Sequence, residues 1–575
     1  MSVYSFGPFV LDPADRRLTR DGRRIAVPAK AWQILLMLVE AGGRLVPHEA
    51  LRRKLWPNVV VEDRTLTVHV STLRKALGEG SSSDVIETVS RTGYRLAVPV
   101  RVQSEADASR PVRPLPEAGP LAVRLFSTQD LAEGESYLGV GIADAVTTAL
   151  GAVPGLTVWP VGAVEDHAGA RATVEACRTL GVGHLLEGAV QRTTERLQIS
   201  ARLVDVASGR ARESERFEQS QADSVALQDA IATWVATSLP QSSAGDRALH
   251  SYRPRAVEAY FLQLQARAHL KPFMRLPLFK ALGLFEQALA LDPDYAMAHA
   301  GLASTYLRMA STALLRPLPV EEAMPMARRA AQRAIALDES LAEAWAALGR
   351  VKMEYDWDWE GAEADLAHAV ALNASSVEAL ATFGQFLSAM GRHDEAIEAM
   401  EQARQLDSRD VETLQHFGIV YFMAGEPQRA LDVVSDSLKV VESTRGHYGR
   451  MLIFDQIGRH DEAMAERLAT LRGLSVAQGL AEQVETLACS KGWRAAMDIW
   501  IALLERTNRW EGAAQQWMAV GEPERALDAL EHCLRARTTY LCFTAQNPYF
   551  RPLHGNPRFQ RILRVLKLDG RICGA

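Results

Sequence analysis

Cysteine is scarce in this 575-residue chain: Cys177, Cys489, Cys533, Cys542 and Cys573 are odd in number, scattered, and form no C-x-x-C pair. That pattern argues against a disulfide framework and a structural zinc site, and it fits a reducing cytosol. Long apolar runs are also missing. The nearest, Leu138–Val164, is interrupted by Asp144 and rich in Gly and Pro, so no membrane span is expected. No basic segment with an apolar stretch behind it follows Met1, and no secretory signal is expected. H-E-x-x-H, G-x-S-x-G, a P-loop, a kinase signature and a metal-spaced Cys/His cluster are all absent, and the 14 histidines are dispersed. The expectation is a protein without catalytic residues, cofactor or metal.

What is present is an ordinary globular composition, 48% hydrophobic and 23% charged, on a chain long enough for roughly three or four domains. The net charge of −6 is unevenly spread. Residues 1–100 carry 15 Lys and Arg against 10 Asp and Glu, a net of +5, which leaves −11 for the remainder. A basic head on an acidic body suits a nucleic-acid binder with a regulatory remainder.

The head is organised around Glu62–Gly78, EDRTLTVHVSTLRKALG. Asp63 is a candidate N-cap and Gly78 a candidate stop. Leu66, Val70, Leu73 and Leu77 recur at i, i+4, i+7 and i+11, one stripe of a helix. Arg64, Val68, Ser71 and Lys75 face the other way, flanked by Thr67, Thr72 and Arg74. Such a helix can dock on a core and lay its polar, basic face in a DNA groove; a merely solvated face is the plainer alternative.

Around it, residues 1–27 read as a small antiparallel sheet, with turn signals at Asp12–Pro13 and Asp21–Gly22. Ala29–Ala41 reads as a helix with Trp32, Leu35, Leu36 and Val39 inward, and His48–Leu55 as a shorter one. Trp56-Pro57-Asn58 breaks the chain. Val85–Val89 and Tyr94–Val98 are two strands joined by Ser90-Arg91-Thr92-Gly93, a wing. The motifs are F-G-x-F-x-L-D at Phe6–Asp12, L-x-x-x-L-W-P at Leu51–Pro57, E-D-R-T at Glu62–Thr65, L-R-K-A-L-G at Leu73–Gly78 and T-G-Y-R at Thr92–Arg95.

On these motifs residues 3–98 resemble the winged-helix effector domain of OmpR/PhoB-type transcriptional regulators, in a CadC/ToxR-like arrangement without a membrane span. The resemblance implies that the third helix enters the major groove of double-stranded DNA and the wing reaches the minor groove. It places Arg64 and Arg74 near phosphates and Thr67, Ser71 and Thr72 near base edges, with Lys75 and Arg91 completing the DNA-binding set. It turns the loop Trp56, Pro57, Asn58, Val59, Val60 and Val61 toward RNA polymerase, and it allows a homodimer on DNA. Two departures bear on the recognised sequence. Many relatives carry arginines where Ser71 and Thr72 stand, and Arg91 sits one place later than in the common R-G-x-G-Y form. The resemblance begins at residue 3, so control through a preceding phosphoacceptor domain is not expected.

Residues 101–120 hold four prolines and few large apolar groups and read as a linker. Residues 121–240 alternate strand and helix patterns and resemble a TolB-amino-terminal-like α/β domain. Gly139-Val140-Gly141 lacks the third glycine and the lysine of a phosphate cradle and reads as a turn into a helix. From 253 to 575 the pattern is helical and periodic. Gly349, Gly384 and Gly418 are spaced by 35 and 34, and Ala362, Ala396, Ala430 and Ala463 by 34, 34 and 33. That is a tetratricopeptide (TPR) solenoid. It is expected to degrade after Gly446 and to end in a cap at Asn547–Leu568. Asp356 and Asp358, on a Trp-rich turn, are weak candidates for a carboxylate pair. The fold class is thus a winged helix-turn-helix, then a small α/β domain, then an all-α solenoid. The resemblance implies a transcriptional regulator with sequence-specific DNA binding in a bacterial cytosol, and the array is expected to take an unknown protein, peptide or small ligand. The alternative is a TPR scaffold in which the winged helix is vestigial or binds protein.

Overall fold

The computed structural model describes residues 3–6, 9–12, 17–20, 23–25, 29–41, 45–55, 70–71, 73–74, 85–89, 92–96 and 100–103 of the N-terminal part. It then describes 120–239, apart from 129–130, 132–134, 136, 154–155, 160, 162–169, 193–195 and 221–223. Finally it describes 256–571, apart from 271–274, 312–317, 475–476 and 478. Two compact units result, Met1–Pro114 and Leu115–Ala575.

In the first unit, β1 (Val3–Phe6), β2 (Phe9–Asp12), β3 (Arg17–Arg20) and β4 (Arg23–Ile25) form an antiparallel meander. Helices α1 (Ala29–Glu40) and α2 (His48–Leu55) follow, with the short β5 (Val46–Pro47) between them. The hairpin β6 (Ile86–Val89) and β7 (Gly93–Leu96) makes the wing. A further strand, β8 (Val100–Gln103), pairs antiparallel with β1 and gives the sheet order β4-β3-β2-β1-β8. Arg101–Gln103 therefore do not behave as linker. Its backbone pairs along an edge that β1 would otherwise leave open. Phe9, Leu11, Leu18, Trp32, Leu35, Val39, Leu51, Val70 and Leu73 are buried together in one core. Leu36, expected inward, is only half-buried, and Ile34 and Leu38 fill the core instead.

The second unit begins with β9 (Leu121–Val123), β10 (Val158–Trp159), β11 (His184–Arg192), β12 (Arg196–Asp205) and β13 (Arg210–Ser220), in sheet order β10-β9-β11-β12-β13. The first three are parallel and the last three antiparallel. Helices Tyr137–Gly151 and Ser224–Ser238 pack on one core with this sheet. Gly139 lies inside its helix and not in a turn before it, contrary to the turn expected there. A Cβ at Gly139 would meet the Phe126 carbonyl oxygen at 2.3 Å, and one at Gly141 would meet Leu264 at 2.7 Å, so close packing explains both glycines.

The helical array follows as antiparallel pairs. Its regular middle comprises Ala342–Val351 with Trp359–Leu372, Val377–Ala389 with His393–Leu406, and Val411–Met423 with Pro427–Val440. The periodic glycines are contact points within each pair. A Cβ on Gly349, Gly384 or Gly418 would meet Leu366, Met400 or Val434 at 2.7, 2.9 and 2.3 Å. Gly391 and Gly425 close the first helix of their pairs at φ 75 and 81, the left-handed conformation a helix end favours glycine for. The array does not degrade at Gly446. Thr444–Gln456 and His460–Arg472 form a further pair, with Ala463 fully buried.

The α/β domain and the array are one compact unit. Arg267 of helix Val257–Leu270 reaches Asp144 at 2.7 Å and Glu343 at 3.5 Å. Val158 N–H donates to Ser375 Oγ at 3.0 Å. Trp159, Cys177, Leu185 and Val204 join the same continuous apolar core as the array helices. At the other end, Asn547 and Asn556 cap the 3-10 turn Pro548–Leu553 and the helix Pro557–Val565. This C-terminal segment folds back over the array. Trp359 Nε1 donates to the Leu566 carbonyl at 2.8 Å, and Tyr549 Oη to the Leu452 carbonyl at 2.7 Å.

Candidate nucleic-acid interface

Val70 and Leu73 are buried at 1% and 0% exposure, and Ser71 between them is exposed. The helical residues 70–71 and 73–74 thus turn an apolar side to the core and set the Ser71 hydroxyl, both donor and acceptor, on the outside. Arg74 is half-buried and ties this helix to the wing. Its Nη2 donates to the Ile86 carbonyl at 2.6 Å and lies 2.9 Å from Thr88 Oγ1. The phosphate role expected for Arg74 is joined by a structural one, and nothing in the periodicity signals it, because the partners lie 12 and 14 residues away on a strand. Arg64, Thr67, Thr72, Lys75, Arg91 and the loop Trp56–Val61 lie outside the described residues.

The wing is held at its base. His48 N–H at the start of α2 donates to the Thr92 carbonyl at 3.0 Å, and the His48 and Tyr94 rings are 5.1 Å apart. Gly93 lets β7 approach β5, since a Cβ there would meet the Val46 carbonyl oxygen at 2.1 Å. That is the physical content of T-G-Y-R. Its arginine, Arg95, stands opposite Glu87 across the hairpin with Nε 2.7 Å from Oε2. The Glu87 hydrogen bond and charge hold the Arg95 guanidinium protonated more firmly than usual. The pair is solvent-exposed and aligns the strands.

Elsewhere, the acidic pair on the Trp-rich turn has structural work. Asp356 pairs with Arg328, and Asp358 caps helix Trp359–Leu372 by accepting from Gly361 N–H at 3.1 Å. Among the described residues no group of three His, Cys, Asp or Glu side chains is placed to hold a metal ion, and four cysteines are free thiols. Among them too, no helix is long and apolar enough to cross a membrane.

Residues 22–96 match the family "Transcriptional regulatory protein, C terminal", and residues 377–410 match a tetratricopeptide repeat. The transcriptional regulator HilA of Salmonella typhi is 23% identical over 448 residues, 77% of this chain and 76% of its own length. The phosphate regulon transcriptional regulatory protein PhoB of Pseudomonas aeruginosa is 36% identical over 92 residues, 16% of this chain and 40% of its own. A putative adenylate cyclase 3 of Rhizobium meliloti is 29% identical over 198 residues, 34% of each chain. An OmpR/PhoB-type DNA-binding domain therefore heads this chain, and a tetratricopeptide-type helical array makes up most of the rest.

Proposed function

We propose that the chain is a sequence-specific, cytoplasmic transcriptional regulator that acts by binding, not catalysis, and that its array docks or senses an effector. The observation that carries the DNA half is the exposed Ser71 between buried Val70 and Leu73, on a helix that Arg74 fastens to the wing. A reading face and a wing held in fixed relation are what groove recognition needs. In this reading Arg64, Arg74, Lys75 and Arg91 contact phosphates, while Thr67, Ser71 and Thr72 meet base edges. Trp56–Val61 faces RNA polymerase, and a dimer occupies paired half-sites. With serine and threonine in place of arginine, the helix lacks the strongest guanine-reading group and leans on backbone contacts and DNA shape.

Footprinting of the full chain on its own upstream region tests this. Neutralising about five phosphates makes log K fall with log salt at a slope of about −4.5. Arg64→Ala weakens binding to all sites alike, and Ser71→Ala or Thr72→Ala changes the preference among sites. Salt-insensitive binding, or equal losses from all three variants at every site, would contradict the assignment.

A further inference from the structure

A cavity of about 120 Å3 lies inside the array, between the first helices of its later pairs and the returning C-terminal segment. Phe422 and Leu452 line it from the array side, and Phe543 and Phe550 from the C-terminal side. Its charged lining comprises Arg445, Arg509 and Glu511. Arg445 Nη2 lies 3.5 Å from Tyr540 Oη. Arg509 is 3% exposed. Its Nη2 stands 3.3 Å from Glu511 Oε1, and its Nε and Nη1 have no hydrogen-bond partner among the described residues. By contrast the buried Arg350 meets the Glu354 carboxylate at 2.7 Å and the Ser311 hydroxyl at 3.0 Å. An under-satisfied guanidinium in an apolar setting is costly, and an anion brought to it relieves that cost.

We infer that this cavity binds a small apolar carboxylic acid, with its carboxylate on Arg509 and its body among Phe422, Leu452, Phe543 and Phe550. Size and charge both set the class. A cavity of about 150 Å3 lined by Leu, Ile and Phe accommodates a benzene ring, so one of about 120 Å3 takes an apolar body no larger than a single ring, with the carboxylate reaching Arg509, and excludes a peptide or nucleotide. The Arg509 guanidinium in this apolar lining selects a monoanion over a neutral molecule of the same shape. The inference rests on the reading of the array as the sensing half and names its ligand class, while binding itself requires no DNA.

Isothermal titration of the full chain with benzoate and hexanoate, and with benzamide as the neutral counterpart, tests it. Both acids bind saturably, and benzamide binds at least about tenfold more weakly, the worth of a charge-assisted hydrogen bond. Arg509→Gln removes that preference. Gly449→Leu, on the cavity wall, abolishes binding of acid and amide alike. Its Cβ stands 3.7 Å from Val434 Cγ1, an ordinary contact, and its side chain occupies the cavity. Circular dichroism establishes that each variant is folded; if Arg509→Gln is not, Gly449→Leu decides. Failure of both acids to bind, benzamide binding as tightly as benzoate, or undiminished binding in Gly449→Leu would overturn the inference. A negative footprint with benzoate bound defeats only the DNA reading, and a positive footprint without benzoate binding defeats only this one.

Discussion

His447 sits between two carboxylates. Its Nδ1 is 2.6 Å from Glu466 Oε2, its Nε2 is 2.5 Å from Glu442 Oε1, and Arg450 shares Glu466 at 3.0 Å. Burial disfavours the imidazolium, but the hydrogen bonds and charges of Glu466 and Glu442 outweigh it and raise the pKa above the ordinary 6.5. A raised folded pKa means that protonation favours folding. The contribution is complete below the unfolded value and disappears as pH climbs through the higher folded one. Urea unfolding should therefore show the wild type losing its advantage over His447→Gln as pH rises above 6.5; a difference that grows with pH would refute the pairing. At this scale the sequence was readable where periodicity decides burial, as at Val70, Ser71 and Leu73. It was silent where a side chain meets a distant strand or helix. Arg74 on Thr88 and His447 on Glu466 are such cases, since no local pattern encodes the partner.

Helix pairs show the same divide. The 34-residue recurrence announces the array because each pair must be narrow at one place to stack, and only a small residue permits that. Gly418 and Gly449 separate this requirement from mere glycine content. A Cβ at Gly418 would stand 2.3 Å from Val434 Cγ2, whereas one at Gly449 would stand 3.7 Å from Val434 Cγ1. Gly418→Ala should cost about 1–3 kcal/mol by overpacking. Gly449→Ala, free of any clash, should gain about 0.5–1 kcal/mol through helix propensity. Denaturant titration of the two variants checks this, and equal effects would show that the spacing carries no packing information. The strand Val100–Gln103 was obscured for another reason. Composition marks where prolines begin, but strand pairing depends on an open edge at β1, at the far end of the domain's sequence.

At the scale of the whole molecule, a simple solenoid would be a sum of neighbours, each repeat touching only the next. This one is not. The C-terminal segment reaches back across the array through Trp359 to Leu566, Tyr549 to Leu452, and Arg537 Nη1 to the Tyr355 carbonyl at 3.1 Å, with the Arg537 guanidinium 4.9 Å over the Trp357 ring. The left-handed Trp357, φ 55, follows a π-helical turn at Lys352–Asp356 and brings both tryptophans to this contact. The sequence displayed the Trp-rich turn and the Asn-Pro motifs of the cap, yet hydrophobic pattern says that a face is covered and not what covers it. The consequence can be measured. Deleting residues 538–575 strips the Tyr549 ring from Phe422 and the Thr539–Phe543 turn from helix Val377–Ala389, as well as a packed wall from the last helices. Hydrogen exchange should accordingly accelerate in Val377–Ala389 and Val411–Met423, more than 100 residues from the cut. Nearest-neighbour stacking alone would confine the change to Trp510–Ala519 and Pro523–Ala536. Trp359→Phe tests the same link gently. It leaves the ring buried but withdraws the donor from the Leu566 carbonyl, a loss of about 1–2 kcal/mol. It should loosen the C-terminal helix Pro557–Val565 first, with the middle pairs following only as that helix leaves.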